Sequence, residues 1–377
     1  MKILFLSAWY PHRSDAMDGL FVRKHAQAVA LYAQVCVLYV HADAKITNFE
    51  ITQKTIENVL EISVYFPFSN NALLRKISKQ INYVRAFWKG YSLVKRHFGK
   101  PNSTLVNILT RTAVLALWLK VTQNIPYAII EHWSRYLPQN NSYKGFLRKR
   151  VTEYVARRAK VLMTVSEHVT RAMQRKGIKA NYKLIYNVVD DFFFEPAPTE
   201  PRSKKRILHV SCFDDRAKNV SGLLRAAKQL SEQRSDFELI MVGTGVDFEA
   251  CYKLYESLQF PQKTVLFLGE LPPEKVAHEF HRADFFVLFS NYDNAPVVIS
   301  ESFAAGKPVV ASRVAGIPEM VNETNGILVE PENETEIYQA MNQMLDTLEN
   351  YDAATIRRDA EKYRRTTVGK RIMELLQ

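Results

Sequence analysis

The chain has few cysteines and lacks the spacings that bind metals. Its three cysteines, Cys36, Cys212 and Cys251, are widely separated and odd in number, so neither a disulfide framework nor a cysteine metal site follows from them. No Asp-x-Asp motif and no cluster of histidines occurs, which argues against metal-dependent chemistry. A reducing compartment such as the cytoplasm suits this composition best.

Long apolar runs are also missing. The N-terminal run stops at Ser7, which is too short for a signal-peptide core, and the longest later run, 112–119, is too short to cross a bilayer. We therefore expect a protein that is soluble or lies on a membrane surface. Its 377 residues exceed one ordinary core and favour two domains.

Acidic residues are scarce in the first half of the chain. Residues 1–200 hold 13 Asp and Glu against 29 Lys and Arg, whereas residues 201–377 hold 26 against 22. Segment 72–100 has eight Lys and Arg and no acid among apolar residues at partly helical spacing. It predicts an amphipathic helix that either lies on an anionic membrane surface or turns a solvated face outward from the core. No motif for a nucleic-acid partner is found.

Short apolar runs alternate with helical patterns, which is typical of parallel βαβ units. The first series predicts a helix at 20–31 and strands at 2–7, 35–40, 61–65, 104–109, 127–130 and 161–165. The second series predicts strands at 207–210, 238–242, 265–268, 285–289 and 309–312, with helices at 220–233, 248–259 and 275–282. The proline-containing segment 191–206 between them is the predicted linker.

Segment 291–319 carries the strongest functional signal. Asn294 suits a helix N-cap, Pro296 the first turn, and Gly306 the C-terminal stop. The leading N–H groups of such a helix are unpaired and carry the positive end of its dipole, so they stabilise a phosphate.

Two carboxylates flank this predicted phosphate site. Asp293 and Glu301 lie eight residues apart, a span of about 12 Å at the helical rise. One could accept hydrogen bonds from sugar hydroxyls and the other from ribose hydroxyls, with a diphosphate between them. The residues alone leave open a second interpretation, in which Glu301 is an exposed helix glutamate and Asp293 a loop cap.

The chain from residue 1 to about 345 resembles glycosyltransferase family 4, retaining enzymes of the GT-B fold. Glu301 corresponds to the second glutamate of the Glu-x7-Glu signature of that family, which binds the nucleotide ribose, and Asp293 replaces the first, which holds the donor sugar. A Gly-x-Pro-Glu turn follows at 316–319. The resemblance implies that the diphosphate lies at the helix start, residues Asn294, Ala295, Pro296, Val297 and Val298.

Other family positions are matched outside this segment. Gly19 lies in the loop after the first strand and would let backbone N–H groups approach the donor phosphate, and His132, in the Glu-His pair at a strand end, would contact the donor sugar. Lys218 falls on the phosphate-binding lysine. Ser211 and Cys212 occupy the Gly-Arg positions of the family. The family's arginine is therefore absent and Arg216 is expected to supply its charge, while Leu268 lies where the nucleotide base is held.

The resemblance implies an α/β protein of the GT-B fold, two Rossmann-like domains facing each other across a cleft. We predict an acceptor-binding domain at 1–195, a donor-binding domain at 196–360, and a C-terminal helix at 361–377 that returns to the first domain. In open sheets of this kind ligands bind beyond the carboxyl ends of the strands.

The expected activity is that of a retaining hexosyltransferase acting in bacterial cell-surface polysaccharide synthesis. It would move a sugar from a nucleoside diphosphate sugar to a glycan or lipid-linked acceptor, without metal or cofactor. The protein would be cytoplasmic, and its basic first domain could contact the inner face of the cell membrane. The alternatives are a nucleotide-sugar epimerase of the same fold, a non-catalytic nucleotide-sugar-binding protein, and, least favoured, a nucleic-acid-binding protein.

Overall fold

The computed structural model describes residues 1–69, 71–109, 111–136, 143–195, 202–261 and 264–377. The chain divides into two compact units: a first unit of residues 1–188 and 365–377, and a second unit of residues 189–364. The domain boundaries expected from the sequence, 195/196 and 360/361, lie a few residues from these divisions and stay a prediction.

The first unit contains a largely parallel sheet. Its strands are β1 (Lys2–Ser7), β2 (Gln34–Ala42), β3 (Glu50–Ile56), β4 (Val59–Phe66), β5 (Ser103–Asn107), β6 (Tyr127–Glu131), β7 (Leu162–Thr164) and β8 (Tyr182–Leu184). They are ordered β3-β4-β2-β1-β5-β6-β7-β8, and β3 pairs with β4 in the antiparallel sense while the other pairs are parallel. The order therefore reverses between β1 and β5.

Helices cover both faces of this sheet. They include α1 (Leu20–Ala30), α2 (Ala72–His97), α3 (Arg111–Gln123), α4 (Phe146–Arg158) and α5 (Glu167–Arg175). Side chains alternate along β1, so that Leu4 and Leu6 enter one apolar core while Ile3 and Phe5 enter another. Because both faces are buried, the strands are almost continuously apolar, which is the pattern visible in the sequence.

The second unit is built in the same way around a parallel sheet. Its strands are β9 (Lys205–Val210), β10 (Phe237–Val242), β11 (Val265–Gly269), β12 (Phe285–Leu288), β13 (Val309–Ser312) and β14 (Gly326–Val329), in the order β11-β10-β9-β12-β13-β14. Its helices include α6 (Asp215–Lys218), α7 (Val220–Gln233), α8 (Phe248–Ser257), α9 (Pro273–Arg282), α10 (Val297–Ala304), α11 (Glu334–Asp346) and α12 (Ala353–Asp359). Here the order reverses between β9 and β12.

The last helix, α13 (Arg365–Leu376), belongs to the first unit. It packs against α1, and its Thr366 carbonyl accepts a hydrogen bond of 3.0 Å from the Tyr32 hydroxyl. At its other end, Lys160 Nζ donates to the Leu376 carbonyl at 3.1 Å. The chain thus enters the second unit once and returns to the first.

The predicted linker at 191–206 is only partly described, since residues 196–201 lie outside the described ranges. Its first residues pack on the second unit: the Phe192 carbonyl lies 3.1 Å from His281 Nε2, and the Phe193 ring lies 5.8 Å from that of Phe280.

The periodicity of the sequence located most elements correctly. The bounds predicted for β1, α7 and β13 agree with the structure, and segment 72–100 contains α2. Three strands, β3, β8 and β14, were not predicted. Residues of β3 are exposed except for the half-buried Ile56, so this edge strand lacks an apolar pattern, and β8 and β14 have only three and four residues. Among the helices that the structure describes, none is both long and apolar enough to cross a bilayer.

Candidate functional site

Each sheet has one point at which its strand order reverses, and loops that leave neighbouring strands in opposite directions open a crevice there. In the second unit this switch point lies between β9 and β12, and in the first unit between β1 and β5. The structure places Gly19 and His132 in the first unit and the other predicted site residues in the second. The two groups are described separately.

In the second unit, an ion pair and hydrogen bonds connect α6 with the loop after β12. Lys218 Nζ, at the end of α6, lies 2.5 Å from Asp293 Oδ2. Asn291 donates from its backbone N–H to the Ala217 carbonyl at 2.8 Å and from Nδ2 to the Arg216 carbonyl at 3.1 Å. The structure therefore brings Lys218 and Asp293 into direct contact, with the Arg216 backbone beside them and its side chain exposed.

The charge of Lys218 is fixed by this arrangement. Burial alone would lower the pKa of the Lys218 ammonium group, but its attraction to and hydrogen bond with Asp293 outweigh burial, so that the pKa is raised above its usual value. Lys218 is thus a cation over the whole physiological range, held at the switch point of the second sheet.

Helix α10 begins later than the sequence predicted. Its N-cap is Pro296, with φ −65° and ψ 120°, and the first helical residue is Val297, so the prediction of Asn294 as N-cap is wrong. Hydrogen bonds hold the preceding loop outside the helix. Asn291 donates to carbonyl groups of α6, and the Asp293 carbonyl accepts a hydrogen bond from Gly316 N–H at 3.2 Å. Asn294 and Ala295 consequently remain in the loop, and the helical rise applies only from Val297 onward.

Glu301 lies one turn into α10 and is buried, with 8 % of its surface exposed. The alternative that it is an exposed helix glutamate is therefore wrong. Val297 and Val298, in the first turn, are half-buried. Leu268 lies on β11, two strands from β9 in the sheet, and is 41 % exposed.

The sequence interpretation missed three buried polar residues at this edge. His209, on β9, is fully buried between the Val287 carbonyl, 3.0 Å from Nδ1, and Ser211 Oγ, 2.8 Å from Nε2. Burial lowers its pKa to about 4, so the ring is neutral at neutral pH and its Nδ1–H donates to the carbonyl. Ser290 lies two residues after β12 and Ser312 is the last residue of β13; both are fully buried, and their hydroxyls have no hydrogen-bond partner within the described ranges. Short polar residues near the carboxyl end of a strand were the available signal.

In the first unit, His132 follows β6 directly. Its ring lies 4.4 Å from that of Phe21 and 5.5 Å from that of His25. Burial, followed by the neighbouring His25, holds the pKa of His132 well below its usual range. The imidazole is therefore neutral at neutral pH, so that it can form hydrogen bonds but carries no charge.

Glu131, beside His132, organises the loops around it. This fully buried carboxylate accepts hydrogen bonds from Leu109 N–H at 2.9 Å and from Trp133 N–H at 2.8 Å. Burial raises the pKa of Glu131, while the backbone donors act in the opposite direction. Glu131 thus joins the loops that follow β5 and β6, a role that the sequence interpretation did not assign.

Gly19 forms the N-cap of α1 with a positive φ of 63°. A Cβ atom at this position would lie 2.5 Å from the carbonyl carbon of Trp9, which is closer than atoms can approach. The glycine is therefore required by the packing of the loop after β1 onto the start of α1.

No group of three or more His, Cys, Asp or Glu side chains is placed to hold a metal ion in the part of the chain that the structure describes. The expectation that the protein works without a metal stays a prediction.

The sequence comparisons agree with this architecture. Residues 191–362 match the sequence model of the family described as "Glycosyl transferases group 1". "N-acetyl-alpha-D-glucosaminyl L-malate synthase" of Bacillus anthracis is 31% identical over 146 residues, which is 36% of this chain and 37% of that protein. "Uncharacterized glycosyltransferase MJ1178" of Methanocaldococcus jannaschii is 23% identical over 93% of this chain and 90% of its own length.

The chain is also similar to a mannosyltransferase in sequence and to a solved structure in fold. "O-antigen chain mannosyltransferase B" of Escherichia coli is 31% identical over 33% of this chain, and the chain spans about a third (32%) of that protein. The structure of Anabaena Alr3699/HepE in complex with UDP superimposes with a TM-score of 0.73, covering 100% of this chain and 99% of that one at 18% identity. At that identity the likeness concerns the fold.

The fold and the matched segment point to one class of protein. The chain has the two-domain GT-B fold, with parallel α/β sheets in both units. Its residues 191–362 match the group 1 glycosyl transferases, and the chain is similar to glycosyltransferases of family 4, with relatives in polysaccharide biosynthesis.

Proposed function

We propose that the protein transfers a glycosyl group from a nucleoside diphosphate sugar to a hydroxyl group, with retention of configuration at the anomeric carbon. The observation that carries the proposal is the Lys218–Asp293 pair at the switch point of the second sheet, on the loop that leads into α10. A cation fixed there stabilises the negative charge that builds on the departing diphosphate. The UDP complex of a protein with the same fold supports a nucleotide-bound donor.

In this proposal the diphosphate binds at the amino end of α10. The leading N–H groups, including those of Val297 and Val298, have no partner within the helix, and the helix dipole favours an anion there. Buried Glu301 accepts hydrogen bonds from the ribose hydroxyls, and the backbone near Leu268 contacts the base. When the donor binds, Lys218 turns to the phosphate and Asp293 becomes available to the sugar hydroxyls.

The reaction exchanges one bond at the anomeric carbon for another. The bond from this carbon to the diphosphate oxygen breaks, the acceptor oxygen forms a new bond on the same face, and the hydroxyl proton passes to the departing diphosphate. Lys218, Arg216 and the start of α10 supply the positive charge, so neither metal nor cofactor is required. Neutral His132 is assigned to the donor sugar and Gly19 to the donor phosphate, as the family resemblance implies.

The acceptor is assigned to the first unit. Its net positive charge and the amphipathic helix α2 favour a glycan or lipid-linked acceptor at the inner face of a cell membrane. We accordingly propose a cytoplasmic protein that associates peripherally with that membrane and acts in the synthesis of a bacterial cell-surface polysaccharide. The mannosyltransferase relative supports this assignment.

A screen of UDP-, GDP- and ADP-sugars tests the proposal. A matching donor should raise the thermal midpoint, because it binds only the folded state. Glu301→Ala should lose this stabilisation, whereas the matched control Glu349→Ala, an exposed glutamate of the same unit, should keep it. The anomeric configuration of the product, determined by NMR, tests retention.

Three outcomes contradict the proposal. Conversion of the donor sugar into an epimer without acceptor would identify an epimerase. Binding without turnover in the presence of candidate acceptors would identify a binding protein. Full stabilisation and turnover in Glu301→Ala would show that the donor site is assigned to the wrong residues.

A further inference from the structure

The first unit contains a cavity that the assignments above do not use. Its volume is about 620 Å³, and it is lined by Ser7 at the end of β1, Val40 on β2, and Leu109 and Trp133 in the loops after β5 and β6. Because β1 and β5 are the neighbours at which the strand order reverses, the cavity lies at the switch point of the first sheet, where open α/β sheets bind ligands.

Three arginines from three separate segments line this cavity. Arg111 is the first residue of α3, Arg135 lies in the short helix Ser134–Tyr136 after β6, and Arg148 lies in the first turn of α4. The residues that the structure describes around the cavity include no Asp and no Glu. Three cations that share one cavity without an acidic wall favour an anionic ligand that brings more than one oxygen.

Aromatic rings hold two of these guanidinium groups. The Arg111 guanidinium lies 4.4 Å from the centre of the Tyr83 ring, and that of Arg135 lies 3.2 Å from the centre of the Trp133 ring. Within the described ranges, neither arginine forms an ion pair with a carboxylate, and Arg135 Nε is buried without a hydrogen-bond partner. Stacking fixes the plane of each guanidinium group and leaves N–H donors for an oxyanion.

The acidic group behind this cluster is already occupied. Glu131 attracts Arg135, but its oxygens accept hydrogen bonds from the Leu109 and Trp133 amides. Burial lowers the pKa of Arg135 below its usual value, with Tyr136 and Glu131 acting against burial and Arg148 acting with it. Glu131 is thus the nearby acid for a cluster of three arginines, and an anionic ligand would supply further negative charge.

The rim of the cavity is apolar and exposed. Val114 of α3 and Val151 of α4 line the cavity and are 43% and 38% exposed. Helix α2 adjoins α3 through Trp88 and Trp118, whose rings lie 4.4 Å apart. The same three helices expose further large apolar side chains: Leu73, Leu74, Ile77, Ile81, Val84, Trp118, Val121, Phe146 and Leu147.

Exposed apolar surface of this extent marks an interaction site. Its surroundings decide which partner it fits, since residues 72–158 contain 17 Lys and Arg and only two acids, Glu131 and Glu153. Apolar side chains within a basic surface match a lipid with an anionic headgroup.

We propose that this cavity binds the phosphate or diphosphate group of a lipid-linked acceptor, while the hydrocarbon chain of that acceptor lies along the exposed apolar surface of α2, α3 and α4. The inference rests on the proposed glycosyl transfer and names the chemical class of its acceptor. Arg111, Arg135 and Arg148 bind the anionic group, which positions the attached saccharide at the carboxyl edge of the first sheet. A neutral glycan would use neither the arginines nor the apolar rim.

Binding of three probes tests the proposal: a short prenyl diphosphate, the corresponding prenyl alcohol, and inorganic pyrophosphate. We expect the prenyl diphosphate to bind most tightly, because it alone meets both the arginines and the rim. Arg148→Gln should weaken its binding about tenfold, the effect of losing one charge-assisted interaction. Lys149→Gln is the matched control, since it removes the same charge from the neighbouring position of α4 outside the cavity lining, and should change binding less than about twofold.

Arg148 is exposed, so Arg148→Gln should fold, and Arg148→Lys, which keeps the charge but loses the planar fork, should bind with intermediate affinity. Vesicles of a neutral lipid with a small fraction of prenyl phosphate should retain the protein better than vesicles of the same lipid with an equal fraction of phosphatidylglycerol. Equal retention would show that membrane charge alone is recognised and would overturn the proposal. Equal loss in Arg148→Gln and Lys149→Gln, or no binding of the prenyl diphosphate, would also overturn it.

The donor site provides a separate readout. Glu301→Ala should bind the prenyl diphosphate as the unchanged protein does, and Arg148→Gln should keep the thermal stabilisation by the nucleotide-sugar. If the unchanged protein bound prenyl diphosphate but no nucleotide-sugar, the proposed function would be contradicted; if it bound a nucleotide-sugar but no prenyl diphosphate, only this inference would be contradicted.

Discussion

Both units contain a sheet whose strand order reverses once, but they present different chemistry at that reversal. In the second unit, the switch point between β9 and β12 holds the Lys218–Asp293 pair, buried hydroxyls and the start of a helix. In the first unit, the switch point between β1 and β5 opens into a cavity of arginines, aromatic rings and valines. The common topology therefore fixes where ligands bind, and the loop residues decide which ligand binds.

The difference in charge follows the same division. Lys218 is neutralised by Asp293 within its own unit, whereas Arg111 and Arg135 form no ion pair among the residues that the structure describes. The second unit suits a ligand whose charge is met by one lysine and by backbone N–H groups. The first unit suits a ligand that brings its own negative charge and an apolar part.

The largest effect is expected on kcat, from a substitution at the switch point of the second unit. Lys218→Gln should lower kcat by about 10²–10³, because it removes a fixed cation from the departing diphosphate. Steady-state kinetics with the matching donor measure it, and Lys228→Gln on α7 serves as control with an expected change below about twofold. A kcat within about threefold of the original, far from the loss expected for a group that stabilises the transition state, would separate Lys218 from the chemical step.

The next prediction concerns His209, which joins β9 to β12 at the second switch point. Its pKa is about 4 in the folded protein and about 6.5 in an unfolded chain. The unfolded state therefore binds the additional proton first, and stability that is fully present above pH 6.5 declines as the pH falls toward 4. The decline amounts to about 3 kcal/mol.

His209→Asn removes this titration while an amide can still donate to the Val287 carbonyl. The unfolding free energy of the variant should consequently fall less steeply between pH 6.5 and 4. Denaturant unfolding at a series of pH values measures the slope. An unchanged slope would mean that His209 titrates normally and that the switch point of the second unit is less tightly packed than the structure indicates.

A third prediction tests the packing of the first unit. Gly19→Ala places a methyl group 2.5 Å from the Trp9 carbonyl carbon, whereas Gly177→Ala, also at positive φ, meets no atom within 4 Å. Backbone strain costs about 1 kcal/mol in both, and the clash should add about 2 kcal/mol in Gly19→Ala alone. Comparison of the two unfolding midpoints measures the difference. Equal midpoints would remove the packing explanation for Gly19.

The smallest effect on stability is expected on the apolar surface of the first unit. Ile77 on α2 is 60% exposed, so Ile77→Ser should change the free energy of unfolding by less than about 0.5 kcal/mol. Co-sedimentation with anionic vesicles should nevertheless decrease. Ser78→Ala, on the next residue of the helix, is the control and should sediment as the unchanged protein does. If Ile77→Ser destabilised the protein strongly, this residue would belong to the core.

The sequence predicted the elements better than the site. Helix α7 has an uninterrupted 3.6-residue period and was located to the residue, whereas β3 has exposed side chains and was missed. Helix α10 begins at Val297 rather than next to Asn294, because Asn291 and Asp293 are held by α6 and by Gly316. Those partners are distant in sequence, and local cap preferences do not include them.

The residues of the donor site were proposed from one segment and a family resemblance, but their environment was not visible there. The sequence left Glu301 open between an exposed and a functional side chain, and its burial in α10 decides against the first. The arginine cavity was not anticipated, since Arg111, Arg135 and Arg148 lie in three segments with no common motif. Only the neighbouring positions of β5 and β6 in the sheet bring those segments together.

Hydrophobic periodicity and the uneven distribution of charge, both local properties of the chain, were enough to indicate two α/β units, most of their strands and helices, and a basic first half. The tertiary structure alone decided that Lys218 meets Asp293, that Glu131 joins two loops, and that three arginines share one cavity. These contacts depend on the order of the strands in each sheet, which brings together residues far apart in sequence, and a local pattern does not encode that order.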